Sequence, residues 1–328
     1  MNLRGYIQLG VLALITLPLA CYSANTSRKT MTMNDPVMTY SIGRFSISVP
    51  LSMKQAARTA SLRHRELRET VWQAGIAPEA ARKAIWEKRI AEIEILQPPE
   101  GKTKALIEER DMTEQSVFAR AALYFGDKDG GDRVFCDLLT ARNQSGLWIK
   151  SVGVQTKVEK MMEQNADIAR AYKIVDPYYE PPKKDWFFLE HGAITLPYRS
   201  QEETYARFEG HPLAVKLELE TRATHEVEEH GLIERTAVAI ASGYAAGVNI
   251  ERIRSRKRTL AGMVGEEEVD RMKSKDDSML SFAWNYSGKK DSGDFPEIEI
   301  TMETQDSQLD EKLKLWDALL NSFKPIGR

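Results

Sequence analysis

The sequence predicts an α+β fold with two pseudo-repeated domains, each a mainly antiparallel sheet with helices packed on one face. Alternating apolar and polar residues predict strands in both halves of the chain, and apolar residues at helical spacing predict helices. The order of these elements is similar in the two halves. A length of 328 residues also suits two domains of ordinary size.

The first half is predicted to begin with a strand over 41–50, which ends at Pro50. Two helices are expected next, over 63–74 and 78–94, and Pro78 suits the first turn of the second helix. A meander and a closing helix follow. Their predicted segments are 105–107, 117–125, 133–141 and 146–154 for the strands, and 158–174 for the helix.

The second half repeats this order in outline. The segment 192–197 begins with glycine and ends with proline, as 43–50 does, and Pro325 follows the last predicted helix as Pro177 follows the helix 158–174. The other predicted elements are strands over 214–222 and 249–260, a hairpin of 279–286 and 297–304, and helices over 232–246 and 309–323.

A proline-rich segment separates the two halves. Residues 176–185 contain three prolines and five charged residues, a composition typical of an extended connector. The sequence therefore predicts an N-terminal domain over 38–177, a linker over 178–185 and a C-terminal domain over 186–328. Two domains joined by a short linker leave a cleft that suits a protein partner.

The first 24 residues predict a secretory signal peptide. Arg4 supplies the positive charge, and the apolar run 9–20 is shorter than a membrane-spanning helix requires. Two processing routes stay open. Cleavage before Cys21 would permit lipidation of Cys21, whereas ordinary cleavage near Ala24 would leave a soluble chain. Both routes predict a periplasmic location, either soluble or lipid-anchored.

Charge and cysteine content exclude several classes of protein. With 46 basic and 48 acidic residues, the formal net charge of −2 provides no field that would attract nucleic acid or an anionic membrane surface. Membrane contact is expected only through lipidation of Cys21. Two cysteines cannot supply a disulfide framework. Cys136 is predicted to be a buried small side chain in a strand, because no histidine close in sequence could activate it.

Three charged clusters resemble functional motifs without matching them. His225 and His230 are too far apart for a helical zinc motif, because five positions rotate the second imidazole by about 140°. A solvated acidic turn is predicted there. The segment 126–132 lacks the glutamate of a calcium loop and predicts a hairpin turn. The segment 252–258 predicts a strand with exposed basic residues, one edge of a charged protein interface.

No catalytic residue, metal ligand or cofactor site is predicted from these patterns. The residues that bind a partner are not identified by the sequence, because charged clusters are most often solvated surfaces.

Several spaced motifs resemble the two-domain immunity proteins that protect bacteria against phospholipase effectors of type VI secretion systems. In the first half the likeness lies in 40–50, which contains Gly43-Arg44-Phe45, and in a helix predicted at Arg65 and Glu66. The second half carries four motifs in the order of the family. These are LAGMVGEE at 260–267, FAW at 282–284, PEIEITM at 296–302 and LWDALLNSF at 315–323.

The resemblance implies a periplasmic antitoxin that is not an enzyme and needs no cofactor. It implies that the chain clamps a cognate lipase between its two domains and obstructs the access of lipid. Inhibition of this kind depends on slow dissociation of the complex. The residues alone leave two alternatives open, an envelope lipoprotein with a structural or assembly role and a hydrolase with a dispersed active site.

Overall fold

The computed structural model describes residues 36–72, 75–113, 118–126, 132–142, 145–175, 183–199, 201–241, 248–275 and 277–327. Antiparallel strands dominate this part of the chain, together with four helices. The elements of the first half are β1 (Val37–Ile42), β2 (Phe45–Pro50), β3 (Lys54–Leu62), β4 (Arg65–Val71), α1 (Pro78–Glu94), β5 (Leu106–Asp111), β6 (Phe118–Tyr124), β7 (Arg133–Arg142), β8 (Ser145–Val154), α2 (Val158–Ala171) and β9 (Tyr172–Ile174).

The second half contains a similar series of elements. They are β10 (Phe187–Phe188), β11 (Gly192–Ile194), β12 (Glu202–Glu209), β13 (Lys216–Arg222), α3 (Leu232–Ala241), β14 (Asn249–Leu260), β15 (Met263–Lys273), β16 (Ser278–Tyr286), β17 (Glu297–Gln305), α4 (Leu309–Ser322) and β18 (Lys324–Pro325).

Twelve of these strands form one continuous sheet that crosses both halves of the chain. Their order is β14-β15-β16-β17-β13-β12-β3-β4-β8-β7-β6-β5. The halves meet where β12 pairs with β3, and this antiparallel ladder runs from Glu202 opposite Leu62 to Glu209 opposite Lys54. The predicted antiparallel sheets are therefore confirmed, and in the structure they join edge to edge.

Two small sheets each combine strands from both halves. In the first, β2 lies between β1 and β18, and Phe45 of β2 stacks on Phe323 with ring centroids 5.2 Å apart. In the second, β11 lies between β10 and β9, where Ile194 is opposite Tyr172. Phe45 is buried in the core of the second half, whereas Phe187 is buried in the core of the first half. Each hydrophobic core thus includes a segment from the other half of the sequence.

Helices cover both faces of the sheet, so the prediction that helices pack on one face is wrong. Leu138 of β7 packs in the core beneath α2, whereas the next residue, Leu139, packs with Trp86 of α1. Successive residues of a strand point to opposite faces. Likewise, Glu266 of β15 accepts a hydrogen bond from the start of α3, and Glu267 accepts one from α4.

Most of the predicted elements are confirmed, and α1 has the predicted bounds. The helix predicted over 63–74 is wrong. Arg63 and His64 have φ values of 53° and 64° and form the turn between β3 and β4, and residues of β4 then alternate between buried and exposed. The strand predicted over 41–50 is the hairpin β1–β2, which turns at Gly43 and Arg44.

Several predictions concern residues outside the described ranges. Cys21 and the predicted signal peptide are among them, as is most of the predicted linker. Within the described ranges, no helix has both the length and the apolar character needed to cross a bilayer.

We expect Phe45→Ala to lower the free energy of unfolding by about 3–5 kcal/mol, because it removes a buried aromatic side chain that joins β2 to the core of the second half. Denaturant unfolding of the whole chain measures the change. The control is Val37→Ala on the neighbouring strand, where the side chain is 63% exposed and a change within about 0.5 kcal/mol is expected. Equal effects of the two substitutions would contradict the shared core.

Candidate protein-binding surfaces

The outer face of the second half of the sheet carries closely spaced charges. In β13 the leucines 217 and 219 are buried in the core, and the intervening residues point outward. Glu220 of this outer face lies directly opposite Glu299 of β17. Partial burial raises the pKa of Glu220, and the neighbouring Glu203 and Glu299 raise it further against the opposing effect of Arg222. Like charges in this position destabilise the sheet, so the arrangement is typical of a surface retained for binding.

A row of polar side chains crosses this face through five neighbouring strands. Tyr205 of β12 is opposite Glu220, and Glu220 is opposite Glu299. The row continues from Glu299 to Asn285 of β16 and from Asn285 to Glu266 of β15. The sequence did not identify this row, because its members come from distant segments and meet only through the strand register.

A cavity of about 240 Å³ lies at the β15 end of this row. Its lining includes Leu232 at the start of α3, Glu228 and Glu229 from the preceding turn, and Glu266 and Asn285 from the sheet. Glu266 Oε2 accepts a hydrogen bond of 2.9 Å from the backbone N–H of Ile233, which positions α3 over the sheet. The acidic residues of the lining therefore come from both the turn and the sheet, and α3 contributes the apolar side chain of Leu232.

The predicted basic strand is the edge strand β14, in which Arg252 and Arg256 are exposed as predicted and two other arginines are less exposed than predicted. Arg254 and Arg258 have side chains only 22% and 11% exposed, and both donate to Glu267 and to Asp317 of α4. Arg256 also donates to Glu267, at 2.8 Å. These three arginines share the carboxylates of Glu267 and Asp317, so the cluster fastens the edge strand to α4.

The histidine cluster lies where the sequence predicts it, in an exposed turn before α3. His225 pairs with Asp291, and His230 Nδ1 lies 2.9 Å from a carboxylate oxygen of Glu234. Across the described ranges, no three His, Cys, Asp or Glu side chains are grouped so that they could hold a metal ion. The predicted hairpin turn at 126–132 connects the paired strands β6 and β7, although residues 127–131 are outside the described ranges.

Cys136 is fully buried in β7, as predicted. Burial raises the pKa of its thiol to about 12, against the opposing effect of a hydrogen bond from Asn165. The thiolate is the reactive form of cysteine, so this side chain is unreactive near neutral pH and serves the packing of the core.

Residues 180–325 match the family described as the Tle cognate immunity protein 4 C-terminal domain. The fold is similar to the apo structure of the immunity protein TplEi of the type VI secretion system from Pseudomonas aeruginosa, with 17% identity, a TM-score of 0.73, and coverage of 88% of this chain and 97% of that chain. It is also similar to a chain in the crystal structure of the Tle4–Tli4 complex, with 17% identity, a TM-score of 0.74 and the same coverage of both chains. No curated protein sequence matches significantly.

The fold is therefore that of immunity proteins of type VI secretion systems. Residues 180–325 are similar to the Tle cognate immunity protein 4 C-terminal domain, so the resemblance predicted from the sequence is confirmed by this match. A third similar structure is TplEi complexed with a peptide called "L", with 17% identity, a TM-score of 0.68, and coverage of 89% of this chain and 99% of that chain.

We expect Glu267→Gln to lower the free energy of unfolding by about 1–3 kcal/mol, because three arginines and Trp316 lose their shared anion. Burial alone would raise the pKa of Glu267, but hydrogen bonds from Arg254 and Arg256 and the charge of Arg258 outweigh it and hold the pKa below its ordinary value of 4.5. The wild type is therefore expected to be more stable than Glu267→Gln above pH 4.5. This difference in the free energy of unfolding shrinks as the pH falls through the lowered pKa of Glu267.

Denaturant unfolding from pH 3 to pH 7, about the range in which a carboxylate titrates, measures this difference. The matched control is Glu311→Gln on the exposed side of α4, for which we expect less than about 0.5 kcal/mol. A difference between wild type and Glu267→Gln that does not change with pH would refute the role of the carboxylate charge.

Proposed function

We propose that this chain is a periplasmic immunity protein that binds and inhibits a cognate phospholipase effector of a type VI secretion system. It acts as an antitoxin by occupying the effector and obstructing the access of lipid, and it catalyses no reaction itself. The effector is held between the two halves of the chain.

The observation that carries this proposal is the match of residues 180–325 to the Tle cognate immunity protein 4 domain. The similarity of fold extends the comparison to both halves, because it covers 88% of this chain and includes a chain of the Tle4–Tli4 complex. One of the similar structures, TplEi, is complexed with a peptide, which is consistent with a surface that binds polypeptide.

The surface of the described structure supports binding by charge complementarity. The outward carboxylates of the second half lie on a rigid sheet, so an approaching basic surface meets a fixed pattern of negative charge. Such patterns raise the rate of association and restrict the choice of partner more than they raise affinity. The affinity would come from side chains that are fully desolvated in the complex, which would make dissociation slow.

We further propose that the chain is a duplication, with domains over 38–177 and 186–328 joined by the linker 178–185. The element order supports it. The series β2–β4, α1, β5–β8, α2 and β9 corresponds one by one to β11–β13, α3, β14–β17, α4 and β18. In the large sheet, strands at equal distances from the two edges are then counterparts of each other. The edge strands β14 and β5 are one such pair, and the central strands β12 and β3 are another. The two small sheets are then equivalent, and each pairs the first strand of one half with the last strand of the other.

This arrangement predicts that residues 186–328 do not fold alone, because their core lacks Ile42, Phe45, Ile47 and Val49 from the first half. Coexpression of the fragments 36–185 and 186–328 is expected to give a folded heterodimer. Circular dichroism and size-exclusion chromatography of each fragment and of the pair measure this. If the fragment 186–328 unfolds cooperatively by itself, its core does not need the strand β2 of the first half, and this prediction is wrong.

For the function, we expect the tagged mature chain to capture a lipase from its own cells when the secretion system is active. Purified lipase should lose its hydrolysis of phospholipid vesicles in proportion to the added chain, with complete loss near an equimolar ratio. The chain alone should release no fatty acid. An unrelated periplasmic protein of similar charge is the control for capture.

The proposal fails if no lipase is captured, or if the captured lipase stays active when it is saturated with this chain. Fatty-acid release by the chain alone, abolished by a single carboxylate or histidine substitution, would favour a hydrolase instead.

A further inference from the structure

We infer that the cavity between α3 and the outer face of the sheet binds a segment of the effector, taking a lysine or arginine side chain together with a backbone carbonyl of that segment. This inference rests on the proposed function and assigns a contact site to it. Its evidence is an unpaired buried amide, an excess of carboxylates and apolar side chains in the lining of one cavity.

The first observation is the amide of Asn285. The residue is only 4% exposed, and its Nδ2 has no hydrogen-bond partner within the described part of the chain. A buried donor without a partner destabilises a fold, so native proteins almost always pair such groups. Because Asn285 lines the cavity, an acceptor that enters the cavity would complete its hydrogen bonding. A backbone carbonyl is an acceptor that every polypeptide segment carries.

The second observation is the charge of the lining. Three carboxylates, those of Glu228, Glu229 and Glu266, face one ammonium group, that of Lys257. Glu228 is engaged by Arg235 at 2.6 Å, and Glu266 accepts the N–H of Ile233. Glu229 is exposed and makes no ion pair with any residue that the structure describes, so its charge is free to bind a cation.

The third observation is the apolar surface beside these charges. Val264 lines the cavity and is 60% exposed, and Leu232 at the start of α3 lines it as well. Phosphate groups and other anions would be repelled by the carboxylates. A bare metal ion would leave the apolar residues uncovered. A polypeptide with a basic residue among apolar ones satisfies the amide, the carboxylates and the apolar surface together.

A small probe tests the cavity without any effector. N-acetyl-arginine N-methylamide supplies a guanidinium and two carbonyls, and we expect it to shift the side-chain amide NMR signals of Asn285 in the full chain until the site is saturated. The matched N-acetyl-glutamate N-methylamide should cause no saturable shift. Glu229→Lys should abolish the response to the arginine probe, and Glu311→Lys, an exposed glutamate in the first turn of α4, should keep it.

The absence of any shift, or equal shifts with the two probes, would overturn the inference. Circular dichroism of both variants checks that they are folded, and both substitutions are at exposed positions.

The captured lipase tests the site in the complex. We expect Glu229→Lys to weaken the binding of the lipase by about tenfold or more, whereas Glu311→Lys should change it by less than about twofold. If the wild type inhibits the lipase and Glu229→Lys binds it equally well, the contact site is wrong and the proposed function stands. If the wild type captures no lipase, the proposed function fails, and the arginine probe alone then decides whether the cavity binds a basic segment.

Discussion

Backbone hydrogen bonding between β3 and β12 joins the two halves of the chain into one sheet, and the exchanged strands of the small sheets fix this junction. Arg44, in the turn between β1 and β2, donates from Nε to Glu202 Oε2 at 2.7 Å, and Glu202 begins β12. Both side chains are at most 9% exposed. A buried ion pair is weak evidence for stability, but its fixed geometry sets the register between hairpin and sheet. Three kinds of contact therefore fix the relative positions of the halves. They are backbone hydrogen bonds between strands, packing in the shared cores and the Arg44–Glu202 ion pair.

A fixed junction matters for the proposed binding surface, because its pattern of charges depends on the positions of neighbouring strands. The opposition of Glu220 and Glu299 lowers stability, and the fold tolerates it because the inward residues of the same strands are well packed apolar side chains. Relaxation of the sheet would separate the two carboxylates and relieve the repulsion. The neighbouring strands hold them in register, and the positive charges of Arg222 and Arg235 offset part of the repulsion. A basic partner that relieves the remaining repulsion between the two carboxylates would gain free energy of binding from that relief.

How much of the fold the sequence predicts depends on whether buried positions carry apolar residues. The hairpin of β16 and β17 was predicted because Phe282, Trp284, Ile298 and Ile300 keep a period of two and are all buried. The strand β15 was missed because three of its buried positions, Glu267, Glu268 and Asp270, are acidic. Glu267 is 0% exposed, and its partners are arginines of β14 and Trp316 of α4, which local periodicity cannot reveal.

The candidate site was hidden from the sequence for a different reason. Glu229 and Asn285 are separated by a helix and two strands, and neither belongs to a recognisable motif. The spacing of His225 and His230 argues against a helical zinc motif, but the sequence had no means of placing the adjacent glutamates over β16. Such proximity follows only from the position of α3, which depends on the capping contact with Glu266.

In the motif Gly265-Glu266-Glu267, one strand contributes both to the core and to the proposed binding cavity. Gly265 has no room for a β-carbon, which would lie 2.5 Å from the carbonyl oxygen of Asn285. Glu267 faces the core and binds the arginines of β14, whereas Glu266 faces outward, positions α3 and lines the cavity. Because neighbouring residues of a strand face opposite sides, selection for stability and selection for a partner act on alternate positions. A partner preference can then change at the outward positions while the inward ones preserve the fold.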